Sequence, residues 1–147
     1  MRVSQILPTK RSGIVRVSAS ATVLTAITLM KGEHVGAVLV LDEDDRLLGV
    51  LSERDVVYGF ASDAQDLLRK PVLEVARRDG PTATLEDTVQ SVMERMTGTR
   101  ARHVPIVRFG RVVGVVSIGD IVKSRLDEKT QENTVLQEIA RAQFFAD

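Results

Sequence analysis

Apolar positions along this chain come in two kinds of stretch that take turns: short continuous or alternating runs, and longer stretches with a three-to-four-residue rhythm. Runs at 14–17, 35–41 and 47–51 predict strands, and the rhythm of Val23, Ala26, Ile27 and Met30 predicts a helix over 22–31. After Ser52, the residues Val56, Val57, Phe60, Ala64, Leu67 and Leu68 recur at helical spacing, which predicts a second helix from 53 that ends before Pro71. The polar stretch 42–45 is the turn of a hairpin.

The same order then recurs. Residues 49–57 read GVLSERDVV and residues 114–122 read GVVSIGDIV, with five of nine positions identical. At the same offset of 65, 46–49 falls on 111–114. At an offset of 66, 35–41 falls on 101–107, because the first copy has one more residue in its turn. That offset also places Thr22, Val23, Ala26, Ile27 and Met30 on Thr88, Val89, Val92, Met93 and Met96, and further back 3–6 resembles 72–75. The chain divides into repeats at 3–69 and 70–125, followed by a tail at 126–147. In the tail, Val135, Leu136, Ile139, Ala140 and Phe144 predict an amphipathic helix seeking a partner face.

Neither half alone holds enough residues for a comfortable core. The expected fold is therefore mixed α/β (α+β): two pseudo-symmetric β-α-β-β-α repeats packed through their sheets about an approximate two-fold axis, with an appended C-terminal helix. Such an arrangement leaves two related clefts, each lined by the end of a strand that carries Ser-x-x-Asp.

Composition narrows what the clefts can do. With 147 residues there is room for one ordinary domain or two small modules sharing a core. Cysteine is absent, which rules out disulfides, thiolate nucleophiles and Cys-based zinc sites. Twenty basic residues balance twenty acidic ones, so no global field steers the protein to nucleic acid or an anionic membrane, and any phosphate recognition must be local. The longest apolar or glycine run, 35–41, is far short of the ~20 residues of a membrane helix. The opening MRVSQILPTKR lacks the apolar region of a secretory signal. A soluble cytoplasmic protein without nucleic-acid or membrane partners is expected.

Ser52 and Ser117, each three residues before an aspartate, carry the signature of a helix-capping box. A capped helix still offers spare first-turn amides to an anion. Ionised Asp55 and Asp120 accept hydrogen bonds and suit a ribose diol, while Arg54 supplies a planar fork for phosphate oxygens. Capping and ligand binding are compatible, and the residues alone leave both open.

The duplicated pattern, the Gly-apolar-apolar-Ser-x-x-Asp ending of both copies and the segment RHVPIV at 102–107 resemble a tandem pair of cystathionine-β-synthase (CBS) domains over roughly 3–125. The likeness is closest to small stand-alone bacterial CBS-pair proteins, through Val35-Gly36-Ala37, SERD at 52–55, RHVP at 102–105 and SIGD at 117–120. The resemblance implies a flat module, often called a Bateman module, that dimerises and binds adenosine-containing ligands in its clefts. It further implies that Asp55 and Asp120 hold ribose hydroxyls, and that Ser52 and Ser117 hold phosphate or cap their helices. Arg54, Arg102 and His103 become phosphate candidates, with Lys10 before the first strand as another. Gly36, Ala37, Val104 and Pro105 are implied as apolar walls for adenine. Gly119 stands where the first copy has Arg54, so the two clefts are expected to differ in phosphate affinity, and Ala76-Arg77-Arg78 departs from the family pattern near a cleft entrance.

The function so implied is regulatory adenosine-nucleotide sensing. AMP comes first as the ligand, ahead of ADP, ATP or NAD(H), in a homodimer that signals to an unidentified protein target and needs no metal. The alternatives are a ligand-free structural or protein-interaction module and an S-adenosylmethionine binder. No nucleophile elbow, P-loop or dinucleotide fingerprint is present, and Ser52 and Asp55 share one helix start, so an enzyme is not expected. His34 and His103 lack metal-ligand spacing, and 42–45 lacks the alternating ligands and glycine of a calcium loop. Met30, Met93 and Met96 are expected as core or interface filler.

Overall fold

The computed structural model describes residues 1–7 and 14–145. In chain order the elements are α1 (Val3–Ile6), β1 (Arg16–Val17), α2 (Val23–Glu33), β2 (Ala37–Leu41), β3 (Leu47–Ser52) and α3 (Glu53–Ser62). A 3-10 turn (Leu67–Arg69) leads to α4 (Val72–Val75), α5 (Val89–Thr99), β4 (His103–Arg108), β5 (Arg111–Ser117) and α6 (Ile118–Phe145).

The repeat holds to the level of individual caps. Thr22 and Thr88 cap α2 and α5 by accepting from the amides of Thr25 and Ser91, at 3.2 and 3.1 Å. Both helices end on a non-glycine residue in the left-handed region, His34 (φ 56°) and Arg100 (φ 57°). Each hairpin is antiparallel, pairing Ala37 with Ser52 and His103 with Ser117 at its open end. The first sheet adds β1 parallel to β2. In the second copy the equivalent strand shrinks to a single parallel bridge between Ala83 and Ile106.

Two cores form, and the short helices are exchanged between them. Val3 of α1 is fully buried among Val89, Val92, Val104, Ile106 and Val116 of the second repeat. Val72 and Ala76, on and just after α4, pack with Ala26, Val38, Val40 and Leu51 of the first. The backbone repeats the exchange: the Val3 amide donates to Asp87 at 2.9 Å, and the Val72 amide to Ala21 at 2.8 Å. A third cluster of Leu39, Leu41 and Val112 welds the sheets together. Each repeat thus completes the other, as the small size of a single copy requires.

The repeated glycine before each Ser-x-x-Asp follows from this exchange. A Cβ on Gly49 would lie 3.2 Å from the Arg77 carbonyl oxygen and 3.3 Å from Ala76 Cβ, whereas one on Gly114 would meet the end of the Leu7 side chain at 2.5 Å. The Arg77 carbonyl is held by the Val50 amide at 2.9 Å and cannot yield freely. Gly49→Ala is therefore expected to lower stability by about 1–3 kcal/mol, in the range of overpacked sites. Gly114→Ala costs less, because Leu7 can rotate away; urea unfolding of the two variants checks the order.

Three expectations change. The helix after Ser52 stops at Ser62 rather than running on towards Pro71. Asp63 leaves helical geometry (φ −156°, ψ 81°) and its carboxylate accepts from the Asp66 amide at 3.2 Å, starting a new turn. The break lets Leu67 fold back, fully buried, over Gly59, where a Cβ would lie only 2.6 Å from Leu67 Cδ1. Nor does α3 bury its apolar rhythm, of which Val56 alone packs, half-buried, against the first core. Its side chains include none that is buried, and Val57 and Phe60 are 63% and 44% exposed. Finally, the tail is no separate element: 126–145 continues α6, and Val135, Leu136 and Ile139 are exposed.

His34 is exposed at its helix end, Met30 and Met96 are buried, and Met93 packs half-buried against the second core. The 42–45 turn is organised by Asp42, whose carboxylate accepts from the amides of Asp44 and Arg46. Asp45 pairs with Arg16.

Candidate nucleotide-binding cleft

The open ends of the two hairpins face each other, and the exchanged segment after α4 closes one side. β3 delivers Ser52 to the start of α3, and β4 begins at His103 beside it. Together they frame a cavity of about 380 Å³. That volume lies in the range of small-molecule sites. Gly36 joins the two sides of the lining: a Cβ there would lie at ordinary contact distance, 3.5 Å, from both Glu53 Oε1 and His103 Cε1.

Ser52 and Asp55 form the expected capping box. The Asp55 amide donates to Ser52 Oγ at 3.3 Å, while Asp55 Oδ2 accepts from the Ser52 amide at 2.8 Å and from its hydroxyl at 2.9 Å. The cap uses only Oδ2 of Asp55, so Oδ1 is not committed to it. Ser117 and Asp120 repeat the box at 2.8 and 3.1 Å. The helices are anchored alike, through Glu53 N to Gly36 O at 3.1 Å and Ile118 N to Arg102 O at 2.8 Å.

Positive charge converges from three segments. Arg54, Arg77, Arg100 and Arg102 all line the cavity, against the two carboxylates of Glu53 and Asp55. Two of them are held in place by the C-terminal end of α5: Arg77 donates to Thr99 O at 2.9 Å and Arg54 to Arg100 O at 3.2 Å. Arg54 also lies 5.9 Å from the centre of the Tyr58 ring. Arg54 and Arg77 are thus pre-positioned, Arg77 also facing the exposed Asp79 at 3.7 Å, beside a space that already has a helix N-terminus on its wall, a combination suited to phosphate.

His103 is half-buried on this wall. Burial pulls its imidazole below the ordinary value; Glu53 and Asp120 oppose the shift and Arg102 adds to it. A histidine held neutral in the fold contributes stability that is complete above the unfolded value of about 6.5 and is lost as pH falls through its lower folded value. Wild-type protein is accordingly expected to lose more stability between pH 7 and 5 than His103→Gln. Urea midpoints of both proteins across that range measure the difference.

Of the residues expected from sequence, Gly36, Ser52, Arg54, Asp55, Arg102 and His103 come together here. Ala37 is half-buried beside Gly36 but outside the lining, and Pro105 is buried. Val104 has no exposed surface and belongs to the second core, so its side chain is no wall of this cavity. The apolar lining comes instead from Val50, Val57, Pro81 and Ala101. Ser117 and Asp120 are not among the residues that line this cavity, and their box has Ile118 and Gly119 where the first has Glu53 and Arg54. By the 69-residue offset that relates 3–6 to 72–75, the sequence counterpart of 77–81 is 8–12, which includes Lys10 and lies outside the described residues.

Sequence reasoning missed Arg100 and Glu53 as lining groups, and it placed Arg77 near a cleft entrance only as a departure from the family pattern, not as a group that holds a ligand. Arg77 arrives only through the exchange of α4 into the first repeat, and Arg100 through the left-handed cap that turns the chain from α5 into β4. The signal available for Arg77 was the 3–6/72–75 match, which makes the segment after it a repeated part of the cleft.

The CBS-domain family model matches residues 3–62 and 64–127. The CBS domain-containing protein YhcV of Bacillus subtilis is 29% identical over 132 residues, 87% of this chain and 90% of that one. The crystal structure of a CBS-domain containing protein from Agrobacterium tumefaciens superposes with a TM-score of 0.78 at 34% identity, covering 84% of this chain and 98% of its own. A CBS-domain protein from Pyrobaculum aerophilum, complexed with AMP, superposes at 0.72 with 29% identity over 82% of this chain and 89% of that one. With both repeats matched in order and the fold shared along nearly the whole of these proteins, the chain belongs to the CBS-domain family as a tandem pair.

Proposed function

We propose that this CBS pair is a regulatory module that binds an adenosine nucleotide, AMP first, in the cavity between Ser52–Asp55 and Arg100–His103. The observation that carries the reading is the convergence of four arginines on a helix N-terminus whose Asp55 keeps an oxygen outside the cap. Asp55 would take the ribose hydroxyls, the α3 amides and Arg54, Arg77, Arg100 and Arg102 the phosphate, and Val50, Val57, Pro81 and Ala101 the base. Four cationic groups against two carboxylates favour an anionic ligand over the sulfonium of S-adenosylmethionine. The AMP complex of the Pyrobaculum relative supports the ligand class. Because the lining joins α3 of one repeat to the α5–β4 connection of the other, a bound nucleotide would bias their relative placement by its differential affinity for the two arrangements. That change is the signal offered to a partner.

Thermal unfolding with AMP, ADP, ATP, NAD, NADH and S-adenosylmethionine tests the reading. A ligand at 100 times its dissociation constant adds about 2.7 kcal/mol to the folded state. A stabilising shift with AMP or another adenine nucleotide, and none with S-adenosylmethionine, is expected. No shift with any nucleotide, in protein freed of co-purified ligand, would leave Ser-x-x-Asp as helix caps alone.

A further inference from the structure

The C-terminal end of α5 is capped from outside the helix. A helix leaves its last carbonyls without partners of its own, and its dipole favours cations at that end. In α5 the Met96 carbonyl accepts from the amides of Arg100 and Ala101, the latter at 3.1 Å. The Thr99 and Arg100 carbonyls lie beyond that turn, and α5 has no basic residue in its last turn. Arg77, from the segment after α4, donates to Thr99 O at 2.9 Å, and Arg54 of α3 donates to Arg100 O at 3.2 Å. Each uses Nη1, and Nε of Arg77 lies 3.7 Å from the exposed Asp79. A guanidinium has five N–H donors, so both keep donors for the cavity that they line. Two of the cavity's cations are therefore oriented by the end of one helix.

The pseudo-symmetric helix is built differently. α2 carries Lys31 in its last turn, and Gly119, in Arg54's place in the second box, has no side chain to reach the end of α2.

Gly98 lies in the last turn of α5 and outside the cavity lining. A Cβ there would meet nothing within 4 Å, and among the described glycines Gly110 alone has a positive φ. Neither packing nor backbone geometry asks for glycine at 98. Its effect is on order, since glycine favours the helix less than any residue but proline. Gly32 holds the same place in α2, 66 positions earlier, and is equally open.

We propose that the last turn of α5 is a positioning element of the nucleotide site: its Thr99 and Arg100 carbonyls hold Arg77 and Arg54 for phosphate, and Gly98 sets how firmly they do so. The inference rests on the nucleotide reading. A phosphate held by the free donors of both guanidiniums fastens them to the carbonyls and so orders the turn. By reciprocity, whatever orders the turn beforehand tightens binding by the same factor. α5 is then the element of the second repeat in which occupancy of the cavity is felt.

Gly98→Ala and Gly32→Ala form a matched pair for the test. Both are expected to raise the urea midpoint, because each removes a glycine from a helix. Only Gly98→Ala is expected to tighten AMP binding, by about threefold, within the roughly fivefold that one such replacement is worth. Amide hydrogen exchange gives a readout that needs no nucleotide. Loss of both caps in Arg54→Ala/Arg77→Ala is expected to speed exchange at 97–101 about threefold, and AMP to slow it in wild type. Equal AMP affinity in the two alanine variants would overturn the positioning role while leaving nucleotide binding in place. Exchange at 97–101 unchanged by loss of both arginines would do the same. Wild-type protein that binds no AMP would overturn the nucleotide reading and this inference with it, whatever the exchange rates.

Discussion

Leu39→Ala is expected to cost about 2–5 kcal/mol of stability, the largest single loss predicted for a side chain in this protein. Leu39 is 2% exposed at the centre of β2, opposite Val50 on β3. It belongs to neither repeat's own core but to the cluster with Leu41 and Val112 that joins the sheets. Truncation leaves a void on the seam, and the surrounding strands are too constrained by their ladders to close it. Leu39→Met keeps the volume and is expected to cost less than about 1.5 kcal/mol. Val113→Ala, on a 42% exposed position of β5, should fall within about 0.5 kcal/mol of wild type. Urea midpoints of the three variants check the ranking, and equal losses for Leu39→Ala and Val113→Ala would contradict the account of the seam.

The second large effect separates capping from binding at Asp55. Asp55→Asn keeps a side-chain oxygen to accept from the Ser52 amide, so the α3 cap survives and stability is expected to change by no more than about 1 kcal/mol. What is lost is the anionic acceptor for a ribose diol. Hydrogen bonds to charged groups are each worth about 1.5–3 kcal/mol, so affinity for AMP should fall roughly 10- to 100-fold. Asp120→Asn leaves the first cavity intact and should leave that affinity near wild type. Chemical denaturation and equilibrium titration on the same preparations give the split directly. A stability loss equal for both variants, with unchanged AMP affinity, would make both aspartates caps and nothing more.

Much of this was legible in the amino-acid sequence because the information is local or repeated. The two hairpins and the Ser-x-x-Asp boxes each depend on residues within a few positions of one another and occur in both copies, whereas Thr22 and Thr88, which the rhythm places within their helices, prove to be the caps. The long-range features were not legible. The end of α3 at Ser62 is imposed by Leu67 folding onto Gly59, a contact between segments that the helical rhythm treats as one. The exchange of α1 and α4 decides that Arg77 reaches the first cleft, and no spacing rule reports which repeat a short helix completes. Val104 illustrates the converse error. The RHVP segment points to the cleft, but strand alternation sends Val104 inward from the half-buried His103 before it. On α3, an apolar rhythm is no guide to which face is buried until the neighbours are known. Val57 is 63% exposed and yet lines the cavity.

The central claim, that the arginine-lined cavity between the repeats is an adenosine-nucleotide site, is tested most directly by isothermal titration of AMP into nucleotide-free protein, beside Arg102→Ala and Asp55→Asn. The account predicts saturable binding to wild type that weakens at least tenfold in each variant. Absence of binding to wild type at millimolar AMP, or binding left unchanged by both substitutions, would contradict it.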